Sequence, residues 1–463
     1  MPISNEDVEN LRFHLPDKNS PEMKYLHARR EALGGYLPAR ARKADTLVIP
    51  ELQTFSRLLG GTGEREQSST MVFVNMLSQL LRDKEFGKRV VPIVADEART
   101  FGMQSLFRQV AIYSPLGQLY EPEDKDELLY YKEAKNGQIL EEGITEAGAI
   151  SSWLAAATSY SVHGVPMLPF YVFYSCFGFQ RIGDLVWAAG DSRARGFLLG
   201  ATAGRTTLSG EGLQHEDGSS HLLFSTVPNC VAYDPTFGYE LVTIIHDGMR
   251  RMFNEQEDVF YYVTMMNENY AHPAMPEGAE EGILKGMHRI RPSSVNKPVA
   301  TAQLLGSGAI LREVLAAAEM LEQDWKVGAD VWSVTSFTEL RRDGMTVERH
   351  NRFNPESDAE LSWVERCLND TQGPVIASTD YMRSVADLIR TWVPRRYVTL
   401  GTDGFGRSDT RAALRDFFEV DRHHVVIAAL KALADDGSID RKLVSDAIRK
   451  YGIGSDRPNP WDV

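Results

Sequence analysis

"RVVPIVADEA" (89–98), "PMLPFYVFY" (166–174), "GFLLGATAG" (196–204) and "DVFYYVTMMNENY" (258–270) are short apolar runs that each break off into polar residues. Runs that are apolar at nearly every position, rather than at alternate ones, must be buried on both faces. That is the signature of a parallel sheet covered by helices on either side. Helical spacing fills the gaps: Met71, Val74, Leu77 and Leu81 fall on one side of a helix, and 180–190 and 237–253 also read as helices. After the polar segment "PAMPEGAEEG" the pattern restarts near 290. "TAQLLGSG", a helix over 309–323, "ADVWSVTSF", "PVIAST", a helix near 381–393, "YVTLGTDGFG" and a helix over 424–434 follow in turn. The expected fold class is α/β, with two consecutive parallel-sheet domains at 46–285 and 290–463. Residues 1–45, with the basic stretch "HARREALGGYLPARARK", read as an arm or linker lying on another surface.

Bulk properties exclude several function classes. A formal net charge of −14 over 463 residues opposes general nucleic-acid binding. No apolar run approaches the length needed to cross a bilayer. The amino terminus "MPISNEDVENLRFHLPDKNS" is polar and acidic, unlike a secretory signal. Cys176, Cys230 and Cys367 are too far apart to form a metal cluster by local spacing, so a reducing cytoplasmic setting is expected.

In open α/β sheets, ligands gather at the carboxyl ends of the strands. "DEARTFG" (96–102), "SCFGFQRIGD" (175–184) and "GRTTLSGEGLQHEDG" (204–218) each follow a predicted strand, so parallel strands bring all three to one edge. Phe170, Tyr171 and Phe173 read as core, whereas Tyr174 and Phe177, at the strand's end, are candidate ligand contacts. His215 and His221 flank "EDGSS", but their spacing fits no zinc pattern, and no metal ligand is assigned on this chain. A loop histidine near a cleft is a proton donor, or else a surface group satisfied by the adjacent acids. Cys176 reads as packing. "GSGAIL" (306–311) lacks the third glycine of a dinucleotide fingerprint, and "GTDGFGRSDTR" (401–411) reads equally as a strand-end turn.

Glu146 poses the sharpest question. It lies on the same helical stripe as Ile150, Trp153, Leu154 and Ala157, so a carboxylate projects from a face that is otherwise buried. The simple reading is a first-turn acid favoured by the helix dipole behind an N-cap at Thr145. The alternative is a desolvated carboxyl group that holds or shares a proton.

"ADEARTFGM", "YYKEAKNGQILEEGITEAGA", "FYVFYSCFGFQRIGDLVWAAGD", "GRTTLSGEGLQHEDG" and "NENYAHPAMPEGAEEGI", continued by "VTSFTELRRDG", "ASTDYMR" and "LGTDGFGRSDTR", closely resemble the homodimeric bacterial type of pyruvate dehydrogenase. This is the decarboxylating first component of the pyruvate dehydrogenase complex, within the transketolase-like thiamine diphosphate enzymes. The resemblance implies a pyrimidine-binding domain followed by a transketolase C-terminal-like domain. The family's Gly-Asp-Gly diphosphate motif has no counterpart, so thiamine diphosphate and Mg2+ would be completed by a diphosphate-binding domain from another chain. By resemblance, Glu146 hydrogen-bonds the cofactor's aminopyrimidine, Phe177 stacks on it, and Tyr174 and His215 contact the pyruvate-derived adduct. Glu97 lines the same pocket, with Glu211 and His221 as further pocket residues. Ser219 stands where relatives are expected to carry histidine. The implied partners are dihydrolipoyl acetyltransferase and further chains of a homodimer or heterotetramer, with neither nucleic acid nor membrane. A ketol-transferring relative, or an inactive dimerisation and partner-binding module, are the alternatives.

Overall fold

The computed structural model describes residues 3–35, 40–96, 98–123, 130–454 and 456–463. Its first sheet contains β1 (Val90–Val94), β2 (Leu140–Glu141), β3 (Leu168–Tyr174), β4 (Phe197–Ala201), β5 (Cys230–Tyr233) and β6 (Phe260–Thr264). They lie in the order β2-β1-β3-β4-β6-β5, and every pair is parallel. All four apolar runs read from the sequence are in this sheet. The outer strands β2 and β5 escaped the sequence reading because each is so short.

Side-chain alternation along the strands feeds two separate cores. Phe170, Val172, Phe197, Leu199, Tyr261 and Val263 point to one face. Tyr171, Phe173, Leu198, Phe260 and Tyr262 point to the other. The first face is covered by α1 (Ser69–Arg82) through Phe73 and Leu77, and by a later helix (Gly238–Met249) through Leu241, Ile244 and Ile245. The second is covered by α2 (Glu146–His163) through Ile150, Trp153 and Ala157, and by α3 (Ser175–Asp191) through Ile182 and Val186. Trp153 spends its one polar atom on the Phe197 carbonyl, 3.1 Å away, so its burial leaves no donor unsatisfied. We call the helix Gly238–Met249 α4; it continues as a π-helical turn over Arg250–Asn254.

The second sheet comprises β7 (Met287–Arg291), β8 (Ala300–Gly306), β9 (Val327–Val334), β10 (Val375–Ser378) and β11 (Tyr397–Leu400), in the order β7-β9-β8-β10-β11. Four strands are parallel, but the edge strand β7 runs antiparallel to β9, which corrects the purely parallel expectation. The helix expected near 381–393 is two short pieces, Arg383–Asp387 and a 3-10 turn Arg390–Trp392. Tyr381 is fully buried and reaches Asp234 with its hydroxyl, so the chain there follows the contact with the first sheet. The other expected helices form as α5 (Leu311–Trp325) and α6 (Arg422–Asp435). In the amino-terminal arm, the helix Pro21–Ala32 buries no residue. Residues 41–44 are fastened by Ala41 to Ser161 and by Ala44 to Gln256. Among the described residues no helix is long and apolar enough to cross a membrane.

A fully buried carboxylate ties the two sheets together. Glu240, in the first turn of α4, accepts the Thr236 and Phe237 N–H groups with one oxygen. The other oxygen accepts His288 Nε2 at 2.8 Å and Ser333 Oγ at 2.6 Å, from β7 and β9. Burial opposes ionisation, but His288, Ser333 and Phe237 outweigh it and hold the group below the ordinary carboxylate range. Glu240→Ala should therefore strand a buried histidine and lower unfolding stability by about 3 kcal/mol or more, read from the urea midpoint. A loss below about 1 kcal/mol would remove this contact as a joint between the sheets.

Candidate functional site

The predicted convergence of strand ends is present. Tyr174 is the last residue of β3 and directly precedes α3; its hydroxyl donates to Asp96, just beyond β1, at 3.2 Å. Phe101 packs on the Tyr174 ring at 5.3 Å. Desolvation, reinforced by the Asp96 charge, pushes the Tyr174 phenol up to about 12, so it remains a proton donor at neutral pH. The loop after β4 returns His215 over this edge: its ring stacks on Tyr174 with centroids 5.2 Å apart and meets Phe177 edge-on at 5.1 Å. Glu211 Oε2 lies 3.1 Å from His215 Nδ1 and fixes the ring from the solvent side.

Glu146 opens α2, with Thr145 as N-cap accepting from the Gly148 N–H. Its side chain is only 13% exposed, and Oε1 receives Arg181 Nη1 at 2.5 Å. Arg181 also lies over the Phe177 ring, 4.0 Å from its centroid. Phe177 and Arg181 are one helical turn apart on α3, so one face of that helix presents both an aromatic ring and the cation that answers Glu146. Glu146 Oε2 has no hydrogen-bond partner among the described residues.

Five of the predicted residues, Glu146, Tyr174, Phe177, Glu211 and His215, thus share one edge. Glu97 lies outside the described residues. His221 does not join them. It is 3% exposed, bonded to Thr264 Oγ1 at 3.1 Å and capped edge-on by the Tyr381 ring at 4.7 Å. Burial lowers its pKa to about 4 and keeps it neutral, so His221 is a packing and hydrogen-bonding group between the sheets rather than a pocket residue.

The sequence reading missed what holds the His215 loop. Asp380, just after β10, is fully buried; its Oδ1 accepts the Thr206 N–H at 2.9 Å and Thr206 Oγ1 at 2.6 Å, and its Oδ2 accepts Thr207 Oγ1 at 2.6 Å. Gly204 has φ +88°, and a Cβ there would collide with the Asp380 carboxylate, so both the turn and the approach require glycine. Arg205 donates to the Thr402 carbonyl at 2.8 Å and to the Gly404 carbonyl. Glu216, next to His215 and 2% exposed, accepts the Arg407 N–H at 2.5 Å. "GTDGFGRSDTR" is therefore the clamp on this loop, with no phosphate role required.

The fold is that of the transketolase-like enzymes. Transketolase from Leishmania mexicana superposes with a TM-score of 0.60 at 14% identity, covering 82% of this chain and 47% of that one. A protein described as "split gene transketolase, inactive beta4 tetramer" superposes with a TM-score of 0.51 at 14% identity, covering 80% of this chain and 98% of that one. Residues 47–273 match the family model of the pyruvate dehydrogenase E1 component middle domain, and residues 286–421 that of the transketolase-like C-terminal domain. The chain is 62% identical over 463 residues to the pyruvate dehydrogenase E1 component of Pseudomonas aeruginosa, and 55% identical over 463 residues to that of Escherichia coli strain K12. It is thus a homologue of the pyruvate dehydrogenase E1 components. It spans about half the length of the curated relatives it matches, 52% of each.

Burial raises the Glu216 carboxyl from the ordinary 4.5 to about 7, against the pull of the Arg407 N–H and the Arg205 charge. Between these values the folded chain holds a proton that the unfolded chain has lost. The contribution is present in full below 4.5 and disappears as pH rises through 7. Thermal melts at pH 5 and pH 8 should show a smaller difference for Glu216→Gln than for the parent; an identical difference would exclude Glu216 as its source.

Proposed function

We propose that this chain forms the pyrimidine-binding half of a thiamine diphosphate-dependent 2-oxo acid dehydrogenase, which decarboxylates pyruvate and passes the acetyl group to a lipoyl carrier. The observation that carries the reading is Glu146, a largely enclosed carboxylate beside an aromatic ring and two proton donors at the carboxyl edge of a parallel sheet. Homology to pyruvate dehydrogenase E1 components supports pyruvate as the substrate.

The donor set fits the aminopyrimidine half of the cofactor. Glu146 Oε2 is open to share a proton with a ring nitrogen, while Arg181 holds Oε1 and fixes the carboxylate's direction. Phe177 supplies an aromatic surface for stacking. When bound, thiamine diphosphate supplies the nucleophilic carbon and electron sink that let carbon dioxide leave the 2-oxo acid. Tyr174 remains protonated and would turn its one O–H from Asp96 toward substrate oxygen as negative charge develops there; His215, oriented by Glu211, offers a second group to the same space. Glu146 is itself only 13% exposed, and a water-poor setting favours proton sharing.

The diphosphate and Mg2+ would be held by a separate diphosphate-binding domain, giving a homodimer or heterotetramer that docks with dihydrolipoyl acetyltransferase in the cytoplasm. Within this chain the pyrimidine-binding domain would span 46–285 and the transketolase C-terminal-like domain 290–463, and the resemblance implies Glu97 as a further pocket residue. The split-gene transketolase described as inactive supports the expectation that the chain has no turnover alone.

Pyruvate oxidation with a dye acceptor, thiamine diphosphate and Mg2+ tests this reading. The isolated chain should be silent, and a separately supplied diphosphate-binding domain should restore turnover. Glu146→Gln should then reduce kcat by about 100-fold or more, with unchanged circular dichroism. Full activity of this variant would remove Glu146 from the proposed role.

A further inference from the structure

On the opposite face of the first sheet from α2 and α3, α1 and the first turn of α4 enclose a recess of about 470 Å3. Three arginines line it: Arg57, Arg65 and Arg82. Among the described residues, none of their guanidinium groups makes an ion pair or hydrogen bond, although the chain carries 64 acids against 50 basic residues. Among the described residues, no aspartate or glutamate lines the recess. The side-chain amides of Asn75 and Gln79, on the same wall, also have no partner among the described residues.

The floor is built rather than accidental. His272 donates from Nε2 to the Gln67 carbonyl at 2.8 Å and accepts the Gly238 N–H at Nδ1, 2.9 Å away. Those roles fix the neutral tautomer, and burial lowers the ring's pKa, so the floor adds no charge of its own. Gly61 has φ +79°, and a Cβ there would lie 2.6 Å from the His272 carbonyl oxygen, so the rim can close onto the floor only with glycine. All three arginines are exposed at the rim, and their positive charge favours an anion in the recess.

We propose that this recess binds a small phosphorylated ligand through its phosphoryl groups. Guanidinium forks match phosphate oxygens with paired hydrogen bonds, and the free amides supply further donors. The volume exceeds one phosphate and suits linked phosphoryl groups. Apart from His272, which is committed in the floor, the lining has among the described residues no aromatic ring on which a base would stack, so recognition stops at the phosphates. The recess shares no lining residue with the Glu146 edge.

Isothermal titration calorimetry of the whole chain with inorganic pyrophosphate, orthophosphate and ADP tests the assignment. Pyrophosphate should bind at one site per chain, more tightly than orthophosphate, with affinity falling as salt rises. ADP should bind no more tightly than pyrophosphate. Arg57→Ala, Arg65→Ala and Arg82→Ala should each weaken pyrophosphate binding about tenfold, and the triple variant should abolish it. Arg341→Ala, on a different surface, should have no effect. Because none of the three arginines makes a polar contact that folding needs, circular dichroism should be unchanged in each single variant. Absence of pyrophosphate binding, or binding undiminished in the single variants, would overturn the site. ADP binding more than tenfold tighter than pyrophosphate would overturn recognition by phosphoryl groups alone.

Discussion

The loop that carries His215 to the candidate site depends on the buried Asp380 carboxylate. It lies beyond a strand of the second sheet, yet three donors from Thr206 and Thr207 of the first converge on it. Burial pushes Asp380 above the ordinary carboxylate range, against the Arg415 charge and those donors. A group that is costly to bury stays buried only where its partners are fixed, so the threonines and the turn at Gly204 are held as firmly as the acid. His215 follows on the same loop, and its stacking on Tyr174 inherits that order.

The strand-and-helix alternation was legible because burial on both faces leaves a continuous apolar trace. Val90–Val94, Leu168–Tyr174, Phe197–Ala201 and Phe260–Thr264 carry it, and all four became parallel neighbours or near neighbours in one sheet. Cys230–Tyr233 and Leu140–Glu141 are too short to show a period. The reversed direction of Met287–Arg291 has no trace in composition, since antiparallel pairing at an edge is set by the connection and not by the strand's own residues.

The site was legible in a different way. Tyr174 and Phe177 stood out as aromatic residues at the point where a strand becomes a helix, and Glu146 as a charge on an apolar stripe. Arg181 carries no such mark, and only its spacing of one turn from Phe177 signals a shared helical face. His221 is close to His215 in the sequence, which suggests a common pocket, but the two rings lie apart in the fold. Local helix geometry turned its ring inward instead, against Thr264 and Tyr381, which lie far along the chain. Long-range enclosure of this kind leaves no mark on the few residues around a histidine.

The Glu216 contact with Arg407 bridges 191 positions of sequence. A change that shifts the backbone of the 401–411 loop is therefore felt beside His215 as directly as a change in its own loop. Grafting the second sheet and its helices from one relative onto the first from another would transplant part of the pocket's scaffolding, even though every residue facing the ligand stayed the same.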